Sequence, residues 1–215
     1  MEPTEHNRRA WDEIHRVRSR ETPGQLGIPE PIRARLPDVS SRHVLHLQCG
    51  TGEATAELVE LGALVTAIDV SEEALAVARQ RVQDVAYFHA EVQALPVEVR
   101  RGRFDLVFGS GILEWLENPA GWAAGVVSAL RPGGELLLYD EHPVSARVDD
   151  SLRWRGDYFD AAAGPQLGLF VTAVADAGLQ VRALEEFPAP ALYPWRHQTP
   201  HVPRAFMLLA EKRSE

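Results

Sequence analysis

Residues 43–53 read "HVLHLQCGTGE". A short apolar run, Val44, Leu45 and Leu47, enters a loop carrying Gly50 and Gly52, and "EATAELVELGA" over residues 53–63 follows with helical character. Strand, glycine loop, helix is an arrangement that can grip a nucleotide-type ligand. The glycines admit close backbone approach, and the first amides of the helix face an anion. A tight strand-to-helix turn with no ligand has the same local pattern. Two residues are unusual in it: His46 sits in the strand, and Gln48 stands where a third glycine would serve the turn. The meaning of the loop therefore depends on what else the chain places at its strand ends.

Working outward, apolar strand-like runs recur at Leu64–Ile68, Ala86–Phe88, Phe104–Phe108 and Glu135–Tyr139. Helix-like segments lie between them at Glu53–Leu61, Glu72–Val82 and Trp122–Leu130. Ser71 before "EEALAVARQRV" reads as an N-cap with acids in the first turn. Alternating strands and helices predict an α/β, doubly wound parallel sheet with ligands at the strand C-terminal ends. Beyond Asp140 the pattern changes. Residues 142–165 are irregular and contain "WRGDYFD"; a helix over Leu167–Ala177 ends at Gly178; "LQVRALEEF" and "RAFMLLAEK" read as closing strands around the proline-rich "PAPALYPWRHQTPHVP". Ahead of the sheet, "EHNRRAWDEIHRVRSR" over residues 5–20 reads as an amphipathic helix presenting Trp11, Ile14 and Val17, and "ETPGQLGIPEP" breaks it before a short helix near Ile32–Leu36. We expect a helical cap or lid over residues 1–42 and a core over 43–215, together one domain.

Bulk composition excludes several classes. The 215 residues are 45% hydrophobic and 25% charged, an ordinary globular balance. There is no apolar run of membrane-spanning length and no signal-peptide core at the polar N-terminus, so a cytoplasmic protein with no membrane partner is expected. The net charge is −9; residues 1–42 carry eight Arg against seven acids, leaving about −10 for the remainder. Such a body repels a phosphate backbone, so nucleic acid is not the expected partner. The single cysteine, Cys49, makes no internal disulfide, and eight scattered histidines show no two-His helical spacing, so no metal is expected.

Three further features share the strand ends with the glycine loop. Asp69 closes "LVTAIDVS", 17 residues past Gly52, where a carboxylate can accept both hydroxyls of a ribose. Val70 follows it. Glu91 and Val92 in "HAEVQALP" come after the third strand, offering an acid and an apolar wall beside an amide. The fourth strand ends at Gly109-Ser110-Gly111, and "LRPGG" over residues 130–134 reads as a turn feeding the fifth.

This ordered set resembles the class I S-adenosylmethionine-dependent methyltransferases over roughly residues 43–140. The first motif of that family reads like "LDLGCGTG"; here it is "LHLQCGTG". The resemblance implies a Rossmann-like sheet of seven strands with the last antiparallel and helices on both faces. It implies S-adenosyl-L-methionine as cofactor, held by His46, Gln48, Cys49, Gly50, Thr51, Gly52, Asp69, Val70, Glu91, Val92, Gly109 and Ser110. The chain looks most like the small-molecule type with an N-terminal helical cap, and relatives of uncharacterised substrate share "LQCGTGE" and "DEHP". Two departures stand out. His46 replaces an acid that organises the loop and the ammonium end of the cofactor, and a charged imidazole there would repel the ammonium and sulfonium. Glu91 replaces the commoner aspartate. A dinucleotide loop would want glycine where Thr55 stands, and a Walker loop would want Gly-Lys-Ser/Thr, which is absent.

Methyl transfer from a sulfonium needs alignment and water exclusion more than a fixed catalytic group. A base is needed only where the acceptor must lose a proton. Candidates for it are His142 and Glu141 after the fifth strand; Trp11, Glu114, Trp115 and Tyr158 are candidates for the acceptor pocket. The expected activity is transfer to an oxygen or nitrogen of a small molecule. The alternative is a protein that holds S-adenosylmethionine or S-adenosylhomocysteine without turnover, as a binding module or partner subunit.

Overall fold

A computed structural model describes residues 27–149, 151, 153–160, 164, 166–188 and 202–214. The helix expected over residues 5–20, with Trp11, and the stretch 189–201 lie outside them, as does the side chain of Glu114. The apolar runs become strands: β1 His43–Leu47, β2 Leu64–Asp69, β3 Ala86–His89, β4 Phe104–Ser110, β5 Leu130–Glu141, β6 Leu179–Phe187 and β7 Ala205–Lys212. The helices are α1 Glu30–Arg33, α2 Glu53–Glu60, α3 Glu72–Arg81, α4 Pro119–Ala129 and α5 Leu167–Asp176.

The strands form one sheet in the order β3-β2-β1-β4-β5-β7-β6. The pairings from β3 through β5 are parallel. β7 slides antiparallel between β5 and β6, so the last strand of the chain is the reversed one, as the resemblance implies. From β1 the chain winds outward one way through β2 and β3 and then returns to the other side of β1 with β4. That reversal puts a crevice beyond the C-terminal ends of β1 and β4, where doubly wound sheets bind ligands.

Strand side chains alternate between the two faces. Leu45, Leu47, Val107, Leu136, Leu138 and Leu208 pack with Trp122 of α4 and Phe170 of α5. Val44, Val65, Phe108, Leu137, Tyr139 and Met207 pack with Leu58 of α2, Leu75 of α3 and Ile32 of α1. Helices therefore cover both faces. Burying a side chain such as Phe170 or Leu58, each 0% exposed, contributes about 1.5–3 kcal/mol.

Among the element boundaries that differ from the sequence expectation, two have identifiable reasons. α4 starts at Pro119, three residues before Trp122, because Asn118 caps it: its Oδ1 accepts from the Gly121 amide at 2.9 Å, and proline suits the first turn. The "RPGG" segment is a bulge inside β5, since the pairing Phe104 with Leu130 jumps to Leu106 with Glu135. A Cβ at Gly134 would lie 2.8 Å from the Phe104 carbonyl oxygen, so only glycine fits that crossing. Ser71 caps α3 as expected, its Oγ accepting from the Ala74 amide at 3.1 Å.

Candidate active site at the strand ends

The loop after β1 turns through three residues of positive φ: Gln48 at 50°, Gly50 at 53° and Gly52 at 85°. Gly52 is the N-cap of α2, and a Cβ there would lie 3.0 Å from Ala78 Cβ and 3.1 Å from Ala78 Cα. Glycine is thus demanded twice, by backbone conformation and by contact with α3. The Cys49 amide donates to the Ile68 carbonyl at 3.0 Å, two residues past the end of β1. Arg81 of α3 braces the far side. Its Nε donates to the Thr51 carbonyl at 2.9 Å and its Nη2 to Glu53 Oε1 at 2.8 Å, while the Thr51 hydroxyl donates to the same carboxylate. Cys49 is buried, and burial with the neighbouring Asp69 charge pushes its thiol well above the usual range, so it is no nucleophile.

His46 lies on the strand face shared with Phe108, its ring centroid 5.1 Å from that phenyl and its Nδ1 2.8 Å from the Thr55 hydroxyl on α2. Burial depresses its pKa to about 3. The imidazole is neutral throughout the physiological range, and the repulsion a charged His46 would exert on a cationic ligand does not arise.

Asp69 ends β2 almost fully buried. Its Oδ2 accepts from the Gly50 amide at 2.8 Å and its Oδ1 from the Ser71 amide at 2.9 Å. One carboxylate thereby ties the glycine loop to the start of α3. Its two oxygens offer about four acceptor directions in all. At the next strand end His89 Nε2 lies 2.9 Å from the Val70 carbonyl. Glu91 is half-buried, and Val92 belongs to the core on the α4 and α5 face. Gln93 links this loop to the one after β4, its Oε1 accepting from the amides of Glu117 and Asn118 at 3.0 and 3.1 Å.

The β4 and β5 ends are built differently. Gly109 and Ser110 are inside β4, opposite Leu138 and Tyr139. A Cβ at Gly109 would lie 2.7 Å from Ile112 Cδ1, so the glycine lets the loop fold back over the strand. Asp140 holds that loop. Its Oδ2 accepts from the Ile112 and Leu113 amides at 2.6 and 2.9 Å, and its Oδ1 from the Glu141 amide at 2.8 Å. Burial pushes its pKa up to about 7 against the pull of those three amides. Trp115, half-buried, sits in the short turn Leu113–Trp115 thus anchored.

Glu141 Oε2 accepts from the Ser145 hydroxyl at 3.0 Å. His142 is 5% exposed and committed on both nitrogens: Nδ1 accepts from the Val144 amide at 3.1 Å, and Nε2 lies 3.0 Å from Glu186 Oε1 on β6. Its amide also donates to the Arg204 carbonyl at 2.9 Å. As folded, the imidazole can accept a further proton only by giving up the Val144 amide. Tyr158 places its hydroxyl 3.3 Å from the Leu167 amide at the start of α5, which accounts for that oxygen without a ligand. Among the described residues no group of three His, Cys, Asp or Glu could hold a metal. None of their helices is long and apolar enough to cross a membrane.

The strand ends therefore present, in sheet order, Glu91, Asp69, the Gln48–Gly52 loop, Gly109–Ser110 and Asp140–Glu141. Residues 45–138 match the family described as a methyltransferase domain. An S-adenosylmethionine-dependent methyltransferase from Mesorhizobium loti superposes with a TM-score of 0.70 at 27% identity, covering 85% of this chain and 96% of that one. The matched domain, the fold and these relatives support a class I S-adenosylmethionine-dependent methyltransferase. Within this methyltransferase family it is similar to the ubiquinone biosynthesis O-methyltransferase of Aromatoleum aromaticum, at 35% identity over 46% of this chain and 44% of that one. It is also similar to the trans-aconitate 2-methyltransferase of Delftia acidovorans, at 28% identity over 63% of this chain and 60% of that one. The chain spans about half the length of these curated relatives.

Sequence reasoning missed Arg81, His89 and Gln93. Each acts on a loop from another element: Arg81 is 30 residues from Thr51, His89 19 from Val70 and Gln93 24 from Glu117. The only signal available was a polar residue at the end of an apolar element.

Proposed function

We propose that this protein transfers the methyl group of S-adenosylmethionine to an oxygen or nitrogen of a small molecule. The observation that carries the reading is the row of groups across the sheet's C-terminal edge. It provides a carboxylate at the end of β2, a positive-φ loop after β1, glycine at the end of β4 and a buried acid at the end of β5.

The cofactor supplies an activated methyl; its S–CH3 bond breaks as the acceptor's bond to that carbon forms, and the sulfur keeps the electron pair. The residues fit it. Asp69 accepts the ribose hydroxyls, with Val70 beside it. Glu91 and Val92 meet the adenine. Gln48, Cys49, Gly50, Thr51 and Gly52 cradle the methionine end together with Gly109 and Ser110. His46, uncharged, shapes the base of the loop without repelling the sulfonium.

The acceptor's side lies over β4 and β5. Asp140 positions the loop that carries Glu114 and Trp115. Where the acceptor has a proton to lose, Glu141 takes it, and His142 acts as scaffold because both its ring nitrogens are engaged. Residues 1–42 cap this site. Of these, Ile28, Ile32 and Val39 pack into the core on the α2 and α3 face; Trp11 and Tyr158 are proposed to close the pocket. Oxygen is favoured over nitrogen as the acceptor because one of the similar proteins is named an O-methyltransferase.

Calorimetric titration with S-adenosylmethionine and S-adenosylhomocysteine tests the reading. Saturable one-to-one binding is expected, with S-adenosylhomocysteine formed when the protein and labelled cofactor meet a small-molecule extract. Absence of heat and of thermal shift at millimolar cofactor overturns it; binding without product under every extract leaves a binding module.

A further inference from the structure

One polar atom in the site has no use in the folded protein. Gln48 Oε1 is shielded from solvent and has no hydrogen-bond partner among the described residues. The same residue holds φ at 50°, a conformation that favours glycine, in a loop whose other turns of this kind are glycines. A strained backbone and an orphaned buried acceptor each cost stability. A glycine at 48 would remove both penalties. Their coincidence at the crevice between β1 and β4 points to a ligand donor.

Resting on the cofactor reading above, we propose that the Gln48 side-chain carboxamide accepts a hydrogen bond from the ammonium of the bound cofactor's methionine end. A carbonyl oxygen can only accept, so its partner must be an N–H or O–H of the ligand. S-adenosylmethionine offers three kinds of donor: the adenine amino group, the ribose hydroxyls and the ammonium. Strand order assigns them. Adenine falls to Glu91 after β3 and the ribose to Asp69 at the end of β2, two and one strand positions away from β1. The ammonium remains for the end of β1 beside Gly109, which is paired with Leu47. His46, two residues earlier, does not supply this acceptor through Nδ1, which is engaged with Thr55. A neutral carboxamide serves a cation well because the bond is charge-assisted and no second buried charge is introduced.

The test is a double-mutant cycle on the full chain. Wild type, Gln48→Met and Gln48→Gly are titrated with S-adenosylhomocysteine and with its deamino analogue, in which hydrogen replaces the amino group. Methionine keeps the length and the strain but removes the acceptor; glycine removes both. We expect both variants to bind S-adenosylhomocysteine about 10- to 100-fold more weakly than wild type, the loss typical of one hydrogen bond to a charged group. The ratio of affinities for the two ligands, large in wild type, falls toward one in the variants. Unliganded Gln48→Gly melts at or above the wild-type temperature. S-adenosylhomocysteine affinity within twofold of wild type in both variants overturns the proposal, as does a ligand ratio equal in wild type and variants. Wild type binding neither ligand overturns the cofactor reading instead, so the two failures are distinct.

Discussion

The two halves of the strand edge are assembled by different physics. On the β1–β3 side the groups proposed for the cofactor centre on one loop, which Arg81 of α3 braces from 30 residues away. A glycine loop runs straight into a helix, and the acid that ties it, Asp69, ends the neighbouring strand in register. On the β4–β5 side the groups proposed for the acceptor are held by bonds that span the chain. Asp140 reaches back 28 residues to the Ile112 amide, and His142 reaches forward to Glu186 on β6 and to Arg204 before β7. The first half is built around one glycine loop and the acid at the next strand end. The second depends on how the late elements close.

The largest expected effect breaks the first half. Asp69→Ala removes the acceptor for the Gly50 and Ser71 amides and the proposed ribose partner together. Leaving two buried donors unpaired and losing charge-assisted contacts corresponds to about 3 kcal/mol, or roughly a hundredfold in affinity. Calorimetry with S-adenosylhomocysteine reads it. An affinity within threefold of wild type would separate Asp69 from the cofactor and undo the division between halves.

Gly52→Ala is next. The φ of 85° and the 3.0 Å approach to Ala78 both oppose a Cβ. A cost of about 1–3 kcal/mol is expected in urea unfolding. The equivalent change at Gly168, on α5 with nothing within 4 Å of its added Cβ, should be neutral or stabilising. Equal effects at the two glycines would show that the loop is not conformationally special.

What the sequence revealed follows the same division. The glycine loop, Asp69 and the Ser71 cap were legible because each works within a few residues or at a strand end whose place the apolar periodicity sets. The parallel, doubly wound arrangement through β5 followed from alternation, and the reversed β7 from family resemblance. The role of Asp140 was not legible, since nothing near "YDEHP" signals that its partners are amides at 112 and 113. Nor was the engagement of His142, whose partner Glu186 is one of two adjacent acids in an ordinary strand. Gln48 was visible as an oddity, but its positive φ and orphaned oxygen required coordinates.

Asp140 lets the second half be probed by pH. Its folded pKa of about 7 lies above that of an unfolded aspartate, near 3.9. Between those values the folded state holds the extra proton. Its contribution to stability is greatest below the unfolded pKa and is lost as pH rises through the folded one, with a slope approaching about 1.4 kcal/mol per unit. Asp140→Asn removes the titration. The stability of wild type minus that of Asp140→Asn, from urea unfolding at a series of pH values, should fall from pH 4 to 7 and level above it. A flat difference would mean the loop after β4 is not held by a buried titrating carboxyl.

The smallest effect concerns the outermost link of that half. Burial lowers the His142 pKa, and the Glu186 carboxylate partly restores it. Glu186 is half-exposed, so solvent screens the pair and its loss should cost under about 1 kcal/mol. Glu186→Gln keeps a hydrogen-bond acceptor for Nε2 while deleting the charge. The His142 titration followed by nitrogen-detected NMR should then move to lower pH, away from any role as a proton acceptor near neutrality. S-adenosylhomocysteine affinity should not change, because the pair sits on the acceptor half. A loss of cofactor affinity in Glu186→Gln would join the two halves through β6, and the contrast between a loop-centred cofactor half and a long-range acceptor wall would have to be abandoned.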